Sequence, residues 1–344
     1  MSEVKLPSVL TQLPDEANRR HYSKQELQEY FKRIHLPQHY LDSPVLSNAH
    51  LATTKEHGLP LLEALCRYQA CSVPFENLLL HYSPTKKVTL DLSELYSWFV
   101  QKRRGGRCME TNSFFGTVLR SLGYQVRNCG ARVSRAMSPY PEVRRTQAHT
   151  YDGWNHMLNL VRLDQEWFVV DVGMGSMGPN TPYPLRDKFE TVSIAPRKIR
   201  VQQRAIDESY AAAGVDAPKM WCYDVCYDPS HGADNKWVPT YCFTETEFLP
   251  QDYQVMSWFT STHPSSFFTR FVTATKMLPD AQGEKIVGHV TLFKEAVREQ
   301  KGEHHKLIKA CETEHERVEL LKELFGIELT EEERQSVAPE TRLA

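Results

Sequence analysis

The hydrophobic period of the chain changes at Gly123-Tyr124, from helical to strand-like, and that change divides what its 344 residues can fold into. Before it, apolar residues recur every three or four positions over 24–36, 55–72, 93–102 and 110–122, which predicts helices there. After it, short β-rich runs alternate with Pro- and Gly-containing turns at 125–133, 154–163, 166–172 and 198–203. Strands resume at 221–227 and 267–274, residues 134–150 and 204–218 read as polar surface loops, and 312–325 reads as a charged amphipathic helix. Such a length is also too great for one ordinary core and implies two or three units.

The segment Arg103-Arg104-Gly105-Gly106-Arg107-Cys108-Met109-Glu110-Thr111-Asn112 puts one cysteine behind two glycines at the mouth of the 110–122 helix. Phe114, Phe115, Val118, Leu119 and Leu122 give that helix its apolar spacing, and Gly123 its stop. Unpaired backbone N–H groups and the positive end of the helix dipole favour a thiolate at such a place, and Arg104 and Arg107 add positive charge. A cysteine without partners is more simply a buried apolar side chain.

Partners come from a predicted hairpin, 154–163 followed by 166–172. With a two-residue loop at Leu163-Asp164, His156 lies directly opposite Asp171. With the loop at Asp164-Gln165, Asp171 lies opposite Leu158, on the same face as His156 and diagonal to it. Directly opposite Cβ atoms are ~4.5–5.5 Å apart and diagonal ones ~7–8 Å, so both registers allow an imidazole–carboxylate contact. A three-residue loop puts the two on opposite faces. Asp171 is also the one acid in the run from Trp167 to Val172, where a charge is costly unless paired. Cys108, His156 and Asp171 together make the nucleophile, base and orienter of a cysteine-protease-like triad. That triad serves peptidases, transglutaminases and acyltransferases alike.

Further segments carry a resemblance. Tyr30-Phe31-Lys32-Arg33-Ile34, Val73-Pro74-Phe75-Glu76-Asn77-Leu78, Arg104-Gly105-Gly106-Arg107-Cys108 through Asn112, Ala131-Arg132-Val133, His156-Met157, Asp171-Val172-Gly173-Met174-Gly175, Ser261-Thr262-His263-Pro264-Ser265-Ser266-Phe267 and Leu324-Phe325-Gly326-Ile327 occur in the order of the arylamine N-acetyltransferases. The chain resembles a fungal-type member of that family, whose enzymes move an acyl group from a coenzyme A thioester to an arylamine, arylhydrazine or N-hydroxyarylamine. The resemblance implies an α+β multidomain fold, with an N-terminal helical bundle (1–123) carrying the nucleophile, a central β-barrel (124–245) carrying His and Asp, and a C-terminal α/β lid (246–344). It makes Cys108 the nucleophile, His156 the base and Asp171 the orienter, and gives Arg33, Glu76 and Arg104 structural salt bridges beneath the site. Phe75, Asn155 and Met174 are expected against the aromatic acceptor, and Gly153, Gly175, Thr262 and Ser265 along the donor.

The chain departs from the family pattern at Gln69, where many members have histidine, at Leu79, and at Met174, which replaces a frequent Phe. Met174 would make the acceptor pocket more adaptable than an aromatic wall. The implied reaction is ping-pong acetyl transfer, with acyl-coenzyme A as co-substrate and no permanently bound cofactor. Malonyl-coenzyme A is the alternative donor, since some fungal members prefer it, and Arg107 would suit a malonyl carboxylate. Two other classes compete: a cysteine hydrolase with the same triad, and a non-catalytic coenzyme A-binding protein.

The formal charge of −2 and the lack of a basic stripe argue against nucleic acid as partner, which leaves acyl-coenzyme A and small aromatic amines. No apolar run approaches the ~18 residues of a membrane span, residues 1–10 lack a signal-peptide core and the end is no retention signal. The eight cysteines fit reduced thiols, and together these features place the protein in the cytoplasm. Cys222, Cys226, His231 and Cys242 match no common zinc spacing and sit in a strand-like run, so no metal centre is expected. His304, His305 and His315 read as a solvated face.

Overall fold

A computed structural model describes residues 20–211, 217–229 and 236–344. Helix α1 (Lys24–Arg33) starts on a capping box between Ser23 and Glu26 and buries Leu27, Tyr30 and Phe31. Helix α2 (Lys55–Ser72), capped by Thr54, has the bounds that its spacing predicts. Leu61, Leu62 and Leu65 of α2 join Tyr30, Phe31 and the Phe114, Phe115 and Val118 of helix α3 (Cys108–Ser121) in one apolar cluster. The helix expected over 93–102 is a short α-turn, Leu92–Tyr96, that widens into a π-helical turn, Ser97–Gln101. There the Phe99 carbonyl accepts from Arg33 Nε at 3.0 Å.

After α2, strand β1 (Phe75–Glu76) leads toward α3. Eight further strands form one antiparallel sheet: β2 (Gln125–Val133), β3 (His156–Leu163), β4 (Glu166–Val170), β5 (Tyr183–Pro184), β6 (Phe189–Val192), β7 (Lys198–Arg204), β8 (Met220–Cys226) and β9 (Val238–Glu247). Their spatial order is β5-β4-β3-β2-β9-β8-β7-β6. The rings of Tyr183 on β5 and Phe189 on β6 stack at 6.4 Å, so the two ends curl together into a nearly closed barrel. Leu158, Leu160, Val169, Val201, Tyr223 and Tyr241 fill it. The alternate residues Val161, Leu163, Phe168 and Val170 join the helical cluster instead. β3 is thus buried on both faces, which is why its sequence is almost continuously apolar.

Helix α4 (Pro250–Thr262) follows the barrel. A second antiparallel sheet has the order β1-β10-β11-β12-β13, with β10 (Thr273–Pro279), β11 (Ile286–Phe293), β12 (Ala296–Lys301) and β13 (His304–Ala310). Its Val290, Leu292 and Val297 pack on Val318, Leu321 and Phe325 of helix α5 (Glu314–Phe325). Because β1 pairs with β10, the chain's first third contributes an edge to this sheet.

Two expectations need correction. The strand expected over 267–274 begins only at Thr273, after a 3-10 turn at Phe267–Thr269. The Asn77 amide takes the carbonyls of Phe268 and Phe271 at 2.9 and 2.8 Å, which removes them from any ladder. The polar stretch 134–150 holds a helix, Pro141–Gln147, with proline at its first turn. Among the described residues, no helix is long and apolar enough to cross a membrane.

Candidate active site

Cys108 is the first residue of α3. Arg107 before it has extended backbone and no side-chain cap bond, so the first turn presents its amides around the thiol. The Cys108 side chain packs with Met109, Met157, Tyr253 and Met256, and its Sγ lies 3.8 Å from the Asn155 carbonyl oxygen. Asn155 immediately precedes β3. The nucleophile candidate and the start of the hairpin are therefore neighbours in space.

The hairpin takes the second of the two registers. Asn159 pairs with Val170 and Leu163 with Glu166, leaving Asp164-Gln165 as the loop. Asp164 has φ of 51°, the left-handed backbone that a two-residue turn of this twist requires. His156 and Asp171 then share the barrel-facing side with Leu158, and His156 Nε2 lies 2.8 Å from Asp171 Oδ2. The second carboxylate oxygen accepts from Asn112 Nδ2 and from the Gly173 amide, each at 2.9 Å. With three donors, the buried charge of Asp171 is compensated.

Asn112 sits one helical turn after Cys108 and holds several strands of this arrangement together. Its Nδ2 also reaches the Met157 carbonyl at 2.6 Å, and its Oδ1 accepts from the Val172 amide at 3.2 Å. The four-residue spacing from Cys108 already places Asn112 on the same helix face, a signal that sequence reasoning could have used. Gly173 completes the contact by having no side chain. A Cβ there would lie 2.6 Å from Asn112 Nδ2 and 2.8 Å from the Cys108 Cα. Gly173→Ala is expected to cost ~1–3 kcal/mol through overpacking, read by urea denaturation, and to slow acyl transfer. A variant as stable and active as the parent would show that this junction relaxes freely.

Burial opposes a charged His156 ring, but Asp171, through charge and hydrogen bond, and the Cys108 thiol outweigh it and push the ring up to about 10. The ring therefore carries its proton at neutral pH. With Nε2 committed to Asp171, Nδ1 is the nitrogen left for proton exchange. Tyr241 from β9 lies beside the ring, with centroids 5.2 Å apart.

Around this trio the other expected residues take different places. Phe75 is half-buried beside Gly175, and its ring is 6.1 Å from that of Phe268. Met174 packs against the barrel cluster. The Asn155 side chain turns away to β2, where Oδ1 accepts from the Val133 amide at 2.9 Å. Gly153 faces open space, and Gly175 has φ of +60°. Thr262 and Ser265 are exposed. Their hydroxyls bond to the Trp258 carbonyl and the His263 ring, each at 2.7 Å.

The salt-bridge trio beneath the site is not formed as expected. Arg33 donates to the carbonyls of Phe99, Ser72 and Arg103. Arg104 pairs with Glu333, far along the chain. Glu76 accepts from the amides of Leu78 and Gly105 at 2.5 and 3.1 Å, and burial raises its carboxyl above the usual range. Arg33 and Glu76 tie chain segments together through backbone bonds, and Arg104 does so through its side-chain pair. Arg107 is likewise buried: it pairs with Glu110 at 3.1 Å and reaches Ser261 and Thr260 at 2.7 and 3.2 Å, fastening the nucleophile turn to α4. That clamp had no sequence signal. Cys222 and Cys242 face each other across β8 and β9, and His231 lies outside the described residues.

The chain matches the N-acetyltransferase family over residues 58–334. It is 61% identical to the N-malonyltransferase FDB2 of Gibberella moniliformis over 346 residues, covering 100% of both chains. It is 31% identical to an arylamine N-acetyltransferase of Mycobacterium tuberculosis over 235 residues, 65% of this chain and 70% of that protein. The structure of Mycobacterium marinum arylamine N-acetyltransferase in complex with CoA superposes with a TM-score of 0.66 at 24% identity, covering 90% of this chain and 97% of that one. With the fold shared with that structure and the family match running through both Cys108 and the hairpin, the chain is an acyltransferase that belongs to the arylamine N-acetyltransferase family.

Proposed function

We propose that the protein is a malonyl-coenzyme A-dependent N-acyltransferase acting on arylamines by a ping-pong mechanism through Cys108. The observation that carries this reading is the His156–Asp171 contact at 2.8 Å beside the first residue of α3. The whole-length identity of 61% to a fungal N-malonyltransferase supports malonyl over acetyl as the group moved.

In the first half-reaction the Cys108 sulfur bonds to the thioester carbon, the carbon–sulfur bond to coenzyme A breaks, and the His156 proton passes to the departing thiolate. Neutral His156 then takes a proton from the attacking amine as the acyl–cysteine bond breaks. This restores the imidazolium. Asp171 holds Nε2–H throughout and keeps Nδ1 toward the reacting sulfur. Phe75, the Asn155 backbone and Met174 border the acceptor, while Gly153, Gly175, Thr262 and Ser265 border the donor.

Arg107 does not serve the malonyl carboxylate in this reading. Its charge is already met by Glu110, and its remaining bonds go to Ser261 and Thr260. A steady-state screen of acetyl-, propionyl- and malonyl-coenzyme A with an aniline acceptor tests the proposal. Malonyl transfer should have the highest kcat/KM; a preference for acetyl, or hydrolysis without amide formation, would sink it.

Gly175 lies with positive φ and Phe75 3.4 Å from the position of an added Cβ. Gly175→Val would strain the turn and narrow the slot beside Phe75. The apparent KM for the acyl donor is expected to rise about tenfold, roughly 1.4 kcal/mol, with iodoacetamide still alkylating Cys108. Unchanged donor kinetics would route the pantetheine arm elsewhere.

A further inference from the structure

Between β2 and β3 the chain leaves the barrel and returns to it, with Ser134 and Tyr151 paired in an isolated antiparallel bridge. The Arg135 amide donates to the Thr150 carbonyl at 2.9 Å, the Asp152 amide to that of Val133 at 2.9 Å, and Arg135 Nε to Asp152 Oδ1 at 3.0 Å. The two ends of this insert are therefore pinned together, as in an Ω-loop. Its outer part is stiffened by the helix Pro141–Gln147, whose Arg144 donates to the Ser138 carbonyl at 2.6 Å.

Root and tip of the insert lie on opposite sides of Cys108. At the root, the Val133 amide and Asp152 Oδ2 hold the Asn155 side chain at 2.9 and 3.4 Å, and the Asn155 carbonyl oxygen is 3.8 Å from Cys108 Sγ. At the tip, the half-buried ring of Tyr140 meets that of Phe271, just before β10, with centroids 5.9 Å apart. Phe271 and Phe268 are both anchored through their carbonyls on Asn77. The Phe268 ring in turn lies 6.1 Å from that of Phe75 and 5.4 Å from the guanidinium of Arg107, the residue before Cys108. The insert thus crosses from the barrel rim toward the second sheet over the approach to the thiol. Cys108 is itself only 6% exposed, so a reactant needs a path that this crossing narrows.

We propose that Tyr140 and Phe271 form a latch across this approach, and that Tyr140 limits the size of the aromatic amine that reaches Cys108. The inference rests on the arylamine reading above and adds a specificity-determining residue to it. Phe75 with Phe268, and Phe271 with Tyr140, supply aromatic faces along the path, and of these Tyr140 is the one carried on the insert. One tilted ring pair is a weak contact, so the tip opens and closes while the pinned root stays folded. An amine with a single ring packs against Tyr140. One with fused rings must displace it.

The test compares the native chain, Tyr140→Ala and Tyr140→Phe. Alkylation of Cys108 is followed by peptide mass spectrometry with iodoacetamide and with the bulky N-pyrenylmaleimide, neither of which needs an acyl donor. Iodoacetamide should react at the same rate with all three proteins. N-pyrenylmaleimide should react roughly tenfold faster with Tyr140→Ala than with the native chain, the low end of discrimination by a pocket wall. Tyr140→Phe should behave as the native chain does. In turnover with acyl-coenzyme A, the kcat/KM ratio of naphthylamine to aniline should also rise roughly tenfold in Tyr140→Ala. Equal pyrenylmaleimide rates in the native chain and Tyr140→Ala overturn the latch, as does an equal gain with both electrophiles, which a loosened fold would produce. An unchanged acceptor ratio in Tyr140→Ala overturns the role in selection. If the native chain acylates no amine, the functional reading fails on its own, and the two electrophiles still decide whether Tyr140 guards Cys108.

Discussion

Replacing Cys108 with alanine is expected to abolish acyl transfer, lowering kcat by at least ~10⁴-fold, while the protein stays folded. The change removes one sulfur from the packing of Met109, Met157, Tyr253 and Met256, a loss on the order of 1 kcal/mol, and leaves the His156–Asp171 contact in place. In the proposed mechanism it removes the covalent intermediate altogether. Intact-protein mass spectrometry after mixing with malonyl-coenzyme A should show one acyl adduct on the native chain and none on the variant. Cys108→Ser should behave almost as badly, because a hydroxyl is a far weaker nucleophile than a cysteine sulfur. Residual turnover above a trace in Cys108→Ala, at unchanged thermal stability, would mean that the acyl group travels by another route.

The placement of Cys108 at the helix start and of His156 beside Asp171 was legible in the sequence because the geometry behind it is local. A cysteine opening a helix and a two-residue hairpin loop both follow from short-range spacing, and the loop choice left only two registers to consider. The structure selects the one with Asp171 diagonal to His156, and the side chains close the remaining gap to 2.8 Å. Helix α2 and strand β2 were equally plain, since each repeats one period over many residues.

What escaped depends on distant partners. Helix α4 leaves Val255, Trp258 and Phe259 exposed, so it lacks the clean apolar stripe that marks a helix in sequence. The strand expected at 267–274 has suitable residues, but the Asn77 amide, almost two hundred positions earlier, captures its carbonyls. Arg104 finds Glu333 and Arg107 finds Ser261 in the same way. Charges that look like neighbours in a motif are shared out among elements that only the fold brings together.

The same sharing makes Asp171 the second decisive position. Asp171→Asn is expected to keep the fold and lose up to ~10⁴ in kcat, the scale of the equivalent change in a serine triad. The argument is one of donors and acceptors. Asn112 Nδ2 and the Gly173 amide both donate to one oxygen of residue 171, so an asparagine must keep its carbonyl there and turn its NH2 toward His156. That NH2 makes Nε2 an acceptor and forces the ring proton onto Nδ1, where it can no longer receive one from the amine. Stability supplies a second readout. In the native chain His156 is raised from about 6.5 to about 10, so its contribution is complete below pH ~6.5 and is lost as pH climbs through about 10. Removing the carboxylate removes most of that slope. Urea unfolding at pH 7 and pH 10 should therefore show a steeper decline for the native protein than for Asp171→Asn. Near-native rates together with an unchanged decline would assign the orientation of His156 to another group.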